Sequence, residues 1–460
     1  MVSQNGVAPL KGRTSFPTDS VGRALGVGIL VRGRVTTTDS MVRVAVDVID
    51  ASEDINLHST RSQRPKSEIF ALQDDLASDL AIFLREAIGE EVSIISDAPA
   101  SGNAEAWLLF REAEQAEEEA GRLMALEDPA EADRRVAEAD SMLGQAEELA
   151  PDWATPATRR GWLVYQRTRW GGYGRDAVAR RLDLGRSHAN RALAIDPEDA
   201  DALELRATLD YWGYLMNLSD DPEVAFDDAE RFFNASIEAN PAQASALSSL
   251  SHLLMNKGAI AQAKLKAEQS YRADPWLMNA NVTLWRLFSA SLDLEDAQEA
   301  RRWCAEGKRR FPDDFRFTEC QVWLYALRNQ NPDTVNAAID LIWDLCSEMS
   351  DLSPPGRREF NEARCQMLVA MALVRAGLPD SARAVAARAR RGVDVDPIRE
   401  LTWLESFVHV WLGDNDAAIE RLSMYLAANP NQLEVFARDR TWWLEELRED
   451  PNYRSLVQTR

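Results

Sequence analysis

Prolines recur at a near-regular spacing through the last three-quarters of the chain, and this spacing restricts the possible fold more than any other feature. The gaps between them run from 33 to 46 residues, and the contexts repeat, as in IDPED, ANPAQ, ADPWL and ANPNQ. Proline cannot extend a preceding helix, and Asp or Asn before it favours a turn. The pattern therefore predicts a stacked series of helix pairs. The prolines are Pro151, Pro197, Pro241, Pro275, Pro312, Pro355, Pro397 and Pro430.

One unit, residues 244–275, carries a full set of helix-pair packing residues. Its residues are leucines on the first helix, a glycine in the turn and small residues on the second helix: Leu247, Leu250, Leu254, Gly258, Ala263, Ala267 and Ser270. This unit resembles a tetratricopeptide (TPR) repeat, and two later units resemble it with Gly377 and Gly413 in their turns. The resemblance implies a mainly α protein, with a TPR-like right-handed α-solenoid over residues 99–438 and a capping helix over 439–460.

The first 98 residues have a different pattern. Segments 28–35 and 41–49 are rich in β-branched residues, and the second alternates apolar with polar positions, so both are predicted strands. A third, weaker strand covers 55–61, and an apolar stripe of period 3.6 predicts a long helix over 67–88. Three strands and one long helix form about half of an α/β sandwich, with a bare face and an open edge.

The runs SVGRALGVGILVRGRV, MVRVAVDVIDA and SEIFALQDDLASDLA resemble the C-terminal half of the TolB-like (FlgO-type) domain that precedes TPR arrays in many bacterial proteins. In that family a further strand and helix come first. Two explanations fit their absence here: the true start lies upstream, or the domain is truncated and takes a strand from a partner. The resemblance also implies a neighbouring serine/threonine kinase or cyclase domain, in some members with a membrane helix between.

Charge and motifs restrict the functional classes. The net charge of −23 divides into +3 over residues 1–66 and −26 over the remainder, which disfavours nucleic-acid and membrane-surface binding and favours a basic partner. No phosphate-binding loop, nucleophile motif or metal-ligand spacing occurs, and the four histidines stand apart. We therefore expect no enzyme activity, no cofactor and no metal. The cysteines are expected to be buried core residues of a protein in a reducing compartment: Cys304, Cys320, Cys346 and Cys365.

Candidate binding residues lie on the first helices of the pairs, whose inner face borders the groove in TPR arrays. Trp403, Phe407 and Trp411 are spaced by four and form one stripe, which either binds a ligand or packs on the capping helix. In the 244–275 unit, the corresponding groove positions are Ser245, Ser248, His252, Met255 and Asn256.

Two functional hypotheses follow. The first is a non-catalytic scaffold or regulatory module that binds a protein or peptide in the groove. The alternative is the regulatory or sensory portion of a signalling kinase or cyclase system whose catalytic domain is encoded upstream. No secretory signal or membrane span is visible, so the first hypothesis expects a cytoplasmic location, whereas the alternative expects an extracytoplasmic one.

Overall fold

The computed structural model describes Val7 and residues 17–25, 27–88, 102–125, 128–170, 174–328, 330–439 and 441–458. The chain divides into two compact units, Met1–Pro241 and Ala242–Arg460. The N-terminal unit contains the α/β segment and the first three helix pairs, and the C-terminal unit contains the remaining pairs. The expected fold class, a TPR-like array of helices after a small α/β segment, is confirmed.

The α/β segment is a three-stranded antiparallel sheet in the order β1 (Ile29–Thr37), β2 (Met41–Asp50), β3 (Ile55–Pro65). A short helix, α1 (Thr18–Leu25), precedes it, and the predicted long helix is α2 (Ile69–Ile88). Alternate valines of β2 are buried, as the alternating pattern predicts. Helix α2 packs against β3, where Arg64 forms an ion pair with Asp75.

Three helix pairs complete the N-terminal unit. They are α3 (Ala104–Ala125) with α4 (Pro129–Leu149), α5 (Thr155–Arg169) with α6 (Arg175–Ile195), and α7 (Ala200–Leu215) with α8 (Pro222–Ala239). The two helices of each pair pack together, and the second helix packs against the first helix of the next pair, α4 against α5 and α6 against α7. Asp128, Asp199 and Asp221 cap α4, α7 and α8 by accepting a hydrogen bond from a backbone N–H.

Five more pairs make up most of the C-terminal unit. They are α9 (Ala244–Asn256) with α10 (Ile260–Ala273), α11 (Ala280–Asp293) with α12 (Ala297–Arg310), α13 (Phe315–Ala326) with α14 (Pro332–Ala337) and α15 (Ile339–Leu352), α16 (Arg358–Arg375) with α17 (Pro379–Ala389), and α18 (Glu400–Trp411) with α19 (Asn415–Ala428). The small helix α14 accounts for the long gap between two of the recurring prolines.

In five of the described pairs, the turn between the helices contains a residue in the left-handed conformation. Gly258, Gly377 and Gly413 take it, with φ of +78°, +73° and +74°. Asn217 and Glu295 take it in two other pairs, with φ of +52° and +57°. Glycine adopts this conformation without a steric penalty, whereas Glu295 must be held there by its surroundings. The pairs with glycine were therefore the ones recognisable as TPR-like from sequence.

The prediction for the cysteines was right about their burial but wrong about their being free thiols. All four side chains are buried in the core of the C-terminal unit, but they form two disulfides, Cys304–Cys320 and Cys346–Cys365. Each bond joins the second helix of one pair to the first helix of the next, where the Cα atoms lie 5.8 and 5.6 Å apart. Helices packed this closely bring cysteines within bonding distance.

The C-terminal segment differs from the single capping helix expected over 439–460. It begins after α20 (Leu433–Arg438) with a 3-10 helix over Trp442–Leu447 and continues in the short α21 (Pro451–Val457). Asp450 caps α21 by accepting hydrogen bonds from two backbone N–H groups. The segment is therefore two short elements.

Candidate functional site

The predicted aromatic stripe lies along one face of α18, as its spacing of four requires. The rings of Trp403 and Phe407 meet edge to face with centroids 5.1 Å apart, and Phe407 is only 3% exposed. The chain itself covers the stripe, because the ring of Trp443 lies 5.6 Å from the rings of both Phe407 and Trp411. The stripe thus faces the C-terminal segment, and ligand binding by it stays a prediction.

We name residues 441–447 the C-terminal clasp. Its two tryptophans, Trp442 and Trp443, have ring centroids 3.8 Å apart and are each 7% exposed. Leu444 and Leu447 are buried beside them. The clasp therefore packs near the C-terminal ends of the first helices α11, α13 and α18. From the sequence, these residues were predicted only as part of the capping helix over 439–460.

Both clasp indoles are anchored by hydrogen bonds to the end of α11, 150 residues earlier in the chain. Trp442 Nε1 donates to the carbonyl oxygen of Leu292 at 3.0 Å, and Trp443 Nε1 donates to Oδ1 of Asp293 at 2.6 Å. Burial raises the pKa of Asp293 to about 7; the Trp443 hydrogen bond opposes this rise, and the charge of Asp439 adds to it. A buried carboxyl of this kind stays largely protonated below neutral pH.

Two arginines surround the clasp. Arg328 donates to the carbonyl oxygen of Trp442 at 3.0 Å and forms an ion pair with Glu445 at 2.7 Å. The guanidinium of Arg375 lies over the ring of Trp411, 4.1 Å from its centroid. Burial and the nearby charge of Arg328 lower the pKa of Arg375 to about 10. The clasp is thus recognised through its aromatic rings, a backbone carbonyl and a carboxylate.

A buried ion triad joins three first helices farther along the same face. Arg364 on α16 lies 2.9 Å from Glu319 on α13 and also pairs with Glu400 on α18. Burial lowers the pKa of Arg364, but the charges of Glu319 and Glu400 outweigh it and raise the pKa overall. Arg364 is 45 residues from Glu319 and 36 residues from Glu400, and no local sequence pattern links residues so far apart. The triad could therefore not be predicted from the sequence.

The second predicted set lies on α9 and is partly engaged by α11. Ser248 is buried, and its Oγ lies 2.8 Å from Thr283 Oγ1 and accepts from Arg286 at 2.7 Å. Burial, with a further contribution from Arg286, lowers the pKa of His252 to about 3, so this imidazole is neutral at physiological pH. The remaining members of the set are half-buried: Ser245, Met255 and Asn256.

The N-terminal unit carries a separate aromatic surface on α5 and α7, which we name the aromatic patch. The ring of Tyr165 meets Trp162 at 5.7 Å and Trp212 at 5.4 Å, both edge to face. The guanidinium carbon of Arg169 lies 5.9 Å from the ring centroids of both Tyr165 and Trp212. All three rings are half-buried, whereas Arg169 is exposed.

The histidines lie on separate elements, as their sequence positions indicate. His188 is buried beside Arg191. Burial, together with the charge of that arginine, lowers the pKa of His188 to about 4. His58 contacts Asp79, and His409 lies near Glu405. Within the described part of the chain, no three His, Cys, Asp or Glu side chains converge on a possible metal position. No described helix is both long and apolar enough to cross a membrane.

Comparison with known proteins gives only distant similarities. The sequence matches no protein-family model and no characterised protein. Among solved structures, a thermophilic TPR protein of Thermus thermophilus is 12% identical, with 45% of this chain and 98% of that chain covered and a TM-score of 0.34. The human IFIT1 dimer with m7Gppp-AAAA is 11% identical over 69% of this chain and 70% of that chain, with a TM-score of 0.41. Similarities this low support no conclusion about the family or the function of this chain.

Proposed function

We propose that the protein is a non-catalytic scaffold or regulatory module that binds a protein or peptide partner on the inner face of its first helices. The clasp is the observation that supports this most directly. A short segment with two aromatic side chains, a carbonyl and a carboxylate is recognised by first helices of the C-terminal unit. These are the contacts by which helical grooves bind peptides.

The groove residues predicted from sequence divide into two sets under this proposal. In the stripe of Trp403, Phe407 and Trp411, the last two rings contact the chain's own clasp, so the partner of this set is intramolecular. The α9 set of Ser245, Ser248, His252, Met255 and Asn256 lies outside the clasp contacts and is the set we assign to an external partner. The surplus of acidic residues favours a basic protein at long range.

Site-specific photo-crosslinking tests the proposal on the full chain. A photoreactive residue at Met255, half-buried on α9, should capture a partner protein in cells of the native host. The matched control is the same residue at Leu265 on α10, which is 50% exposed. An adduct from Met255 and none from Leu265 supports the proposal. Equal adducts from both positions, or none from Met255, contradict it.

The alternative is a regulatory portion of a signalling kinase or cyclase system that acts outside the cytoplasm, and the two disulfides favour it. Disulfides persist in oxidising compartments and are rare in reducing ones. Alkylation with a mass-tagged maleimide in denaturant, before and after reduction, tests the compartment, because the four cysteines are buried in the folded chain. This alternative expects all four cysteines to be blocked until they are reduced. Four cysteines labelled without reduction exclude it.

A further inference from the structure

One short stretch of the N-terminal unit has a composition opposite in charge to that of the whole protein. Residues 153–175 contain five arginines and no acidic residue, in a chain with 75 acidic and 52 basic side chains. The arginines are Arg159, Arg160, Arg167, Arg169 and Arg175. The general acidity of the protein therefore does not extend to the sequence of this stretch.

Four of these five arginines are engaged within the unit. Three form ion pairs with carboxylates of α3 and α4: Arg159 with Glu117, Arg160 with Asp140, and Arg167 with Asp133. The fourth, Arg175, donates to backbone carbonyls at the end of α7. Arg169 differs, because it is exposed and pairs with no carboxylate in the described part of the chain; it lies instead over the rings of Tyr165 and Trp212.

The composition of the aromatic patch is that of a binding hot spot. Tryptophan, tyrosine and arginine are the residues that contribute most to protein interfaces, because large rings bury much area with few rotatable bonds. Trp162, Tyr165 and Trp212 each keep part of the ring surface open to solvent. Arg169 places a positive charge beside them.

The clasp gives an internal precedent for what such a surface recognises. In the C-terminal unit, aromatic residues of first helices contact the rings of Trp442 and Trp443. Arg328 forms an ion pair with Glu445, two residues after Trp443. The aromatic patch has the same kinds of residue as the surface that contacts the clasp, namely aromatic rings on two first helices and an arginine beside them.

We propose that the aromatic patch binds an acidic, aromatic segment of a partner protein, with an aromatic side chain against Trp162 and Trp212 and a nearby carboxylate paired with Arg169. This inference rests on the proposed scaffold function and specifies its partner chemistry. A protein segment fits better than nucleic acid, because the aromatic patch offers one cation, Arg169, over its rings, whereas binding of a phosphate backbone draws on several cations. The clasp of a second copy is buried in its own unit and is not available.

Fluorescence polarisation with the full-length protein tests the inference. The probe is a fluorescein-labelled peptide that copies residues 439–450. We expect saturable binding that weakens about tenfold in the Arg169→Glu and Trp212→Ala variants. Arg180→Glu, an exposed arginine of α6 in the same unit, is the matched control and should bind as the parent does. Equal melting temperatures of the parent and Arg169→Glu show that folding is intact, since Arg169 is exposed.

A charge swap makes the test specific. A peptide with lysine in place of both Glu445 and Glu446 should bind Arg169→Glu more tightly than it binds the parent protein. The inference is overturned if the original peptide does not bind up to about 1 mM, or if Arg180→Glu weakens binding as much as Arg169→Glu. Binding that responds to Arg328→Glu alone places the peptide at the clasp and overturns it as well.

Two further outcomes separate this inference from its premise. A single-stranded RNA oligonucleotide that binds in the same Arg169-dependent way, where the peptide does not, identifies a nucleic-acid site and overturns the inference. A specific adduct from Met255 without peptide binding leaves the scaffold function standing and refutes only the partner chemistry of the aromatic patch.

Discussion

Replacing Asp293 by asparagine should change how the stability of the C-terminal unit depends on pH. The carboxyl is buried, and its pKa rises from 3.8 to about 7 in the folded chain. Below pH 3.8 the folded and unfolded states are both protonated and the stability is full. Between pH 3.8 and 7 the unfolded state releases the proton and the folded state keeps it, so stability falls as pH rises. Above pH 7 both states are ionised and the loss is complete.

The size of this effect follows from the two pKa values. A tenfold difference in proton affinity corresponds to about 1.4 kcal/mol, so the full loss is about 4 kcal/mol, of which about 3 kcal/mol falls between pH 5 and pH 8. Asparagine does not titrate, and its Oδ1 can still accept the hydrogen bond from Trp443. The free energy of unfolding of Asp293→Asn, relative to the parent, should therefore increase by about 3 kcal/mol between pH 5 and pH 8.

Urea denaturation at the two pH values, followed by tryptophan fluorescence, measures this difference. The control is Asp380→Asn, which removes a fully exposed carboxylate of α17 and should leave the free energy of unfolding nearly unchanged. If Asp293→Asn shows the same pH dependence as the parent protein, the carboxyl is not protonated in the folded state and the reasoning fails.

Three further predictions concern the C-terminal unit. Trp443→Ala should lower the free energy of unfolding, measured from urea midpoints, by about 3–5 kcal/mol, because it leaves a cavity in the core and removes the hydrogen-bond donor to Asp293. Arg364→Ala should cost about 3–5 kcal/mol in the same assay, because Glu319 is left buried without its counter-charge, while Arg364→Met with Glu319→Gln should recover part of the loss. Replacing Cys304 and Cys320 together by serine should lower the free energy of unfolding by about 3 kcal/mol for a loop of this length, and reductant should lower it further because Cys346–Cys365 remains in that variant.

Local sequence signals predicted much of this fold. The alternating valines of β2 and the 3.6-residue stripe of α2 predicted the sheet and its helix, because burial of one face imposes the same period on the sequence. Glycines marked three of the interhelix turns, since the left-handed conformation there favours glycine. The turns formed by Asn217 and Glu295 carried no such mark, so their pairs were predicted only from proline spacing.

Contacts between distant residues could not be predicted in the same way. Cys304 and Cys320 face each other only because α12 packs on α13, and nothing in a spacing of sixteen residues specifies that. The clasp is a stronger case, because Trp443 meets Asp293 across 150 residues of chain. A pair of adjacent tryptophans after the last repeat was visible in the sequence, but what it packs against depends on how the first helices are arranged in space.

The clasp also has a consequence for synthesis on the ribosome. Most helical arrays can fold progressively as they emerge, because each pair needs only its neighbour. Here Trp323 packs against Trp443 and Trp411 packs against Trp442. Both clasp tryptophans are translated well over a hundred residues after α11. The nascent C-terminal unit therefore exposes a tryptophan-rich surface until the clasp has been translated, and that surface is where a chaperone would bind first.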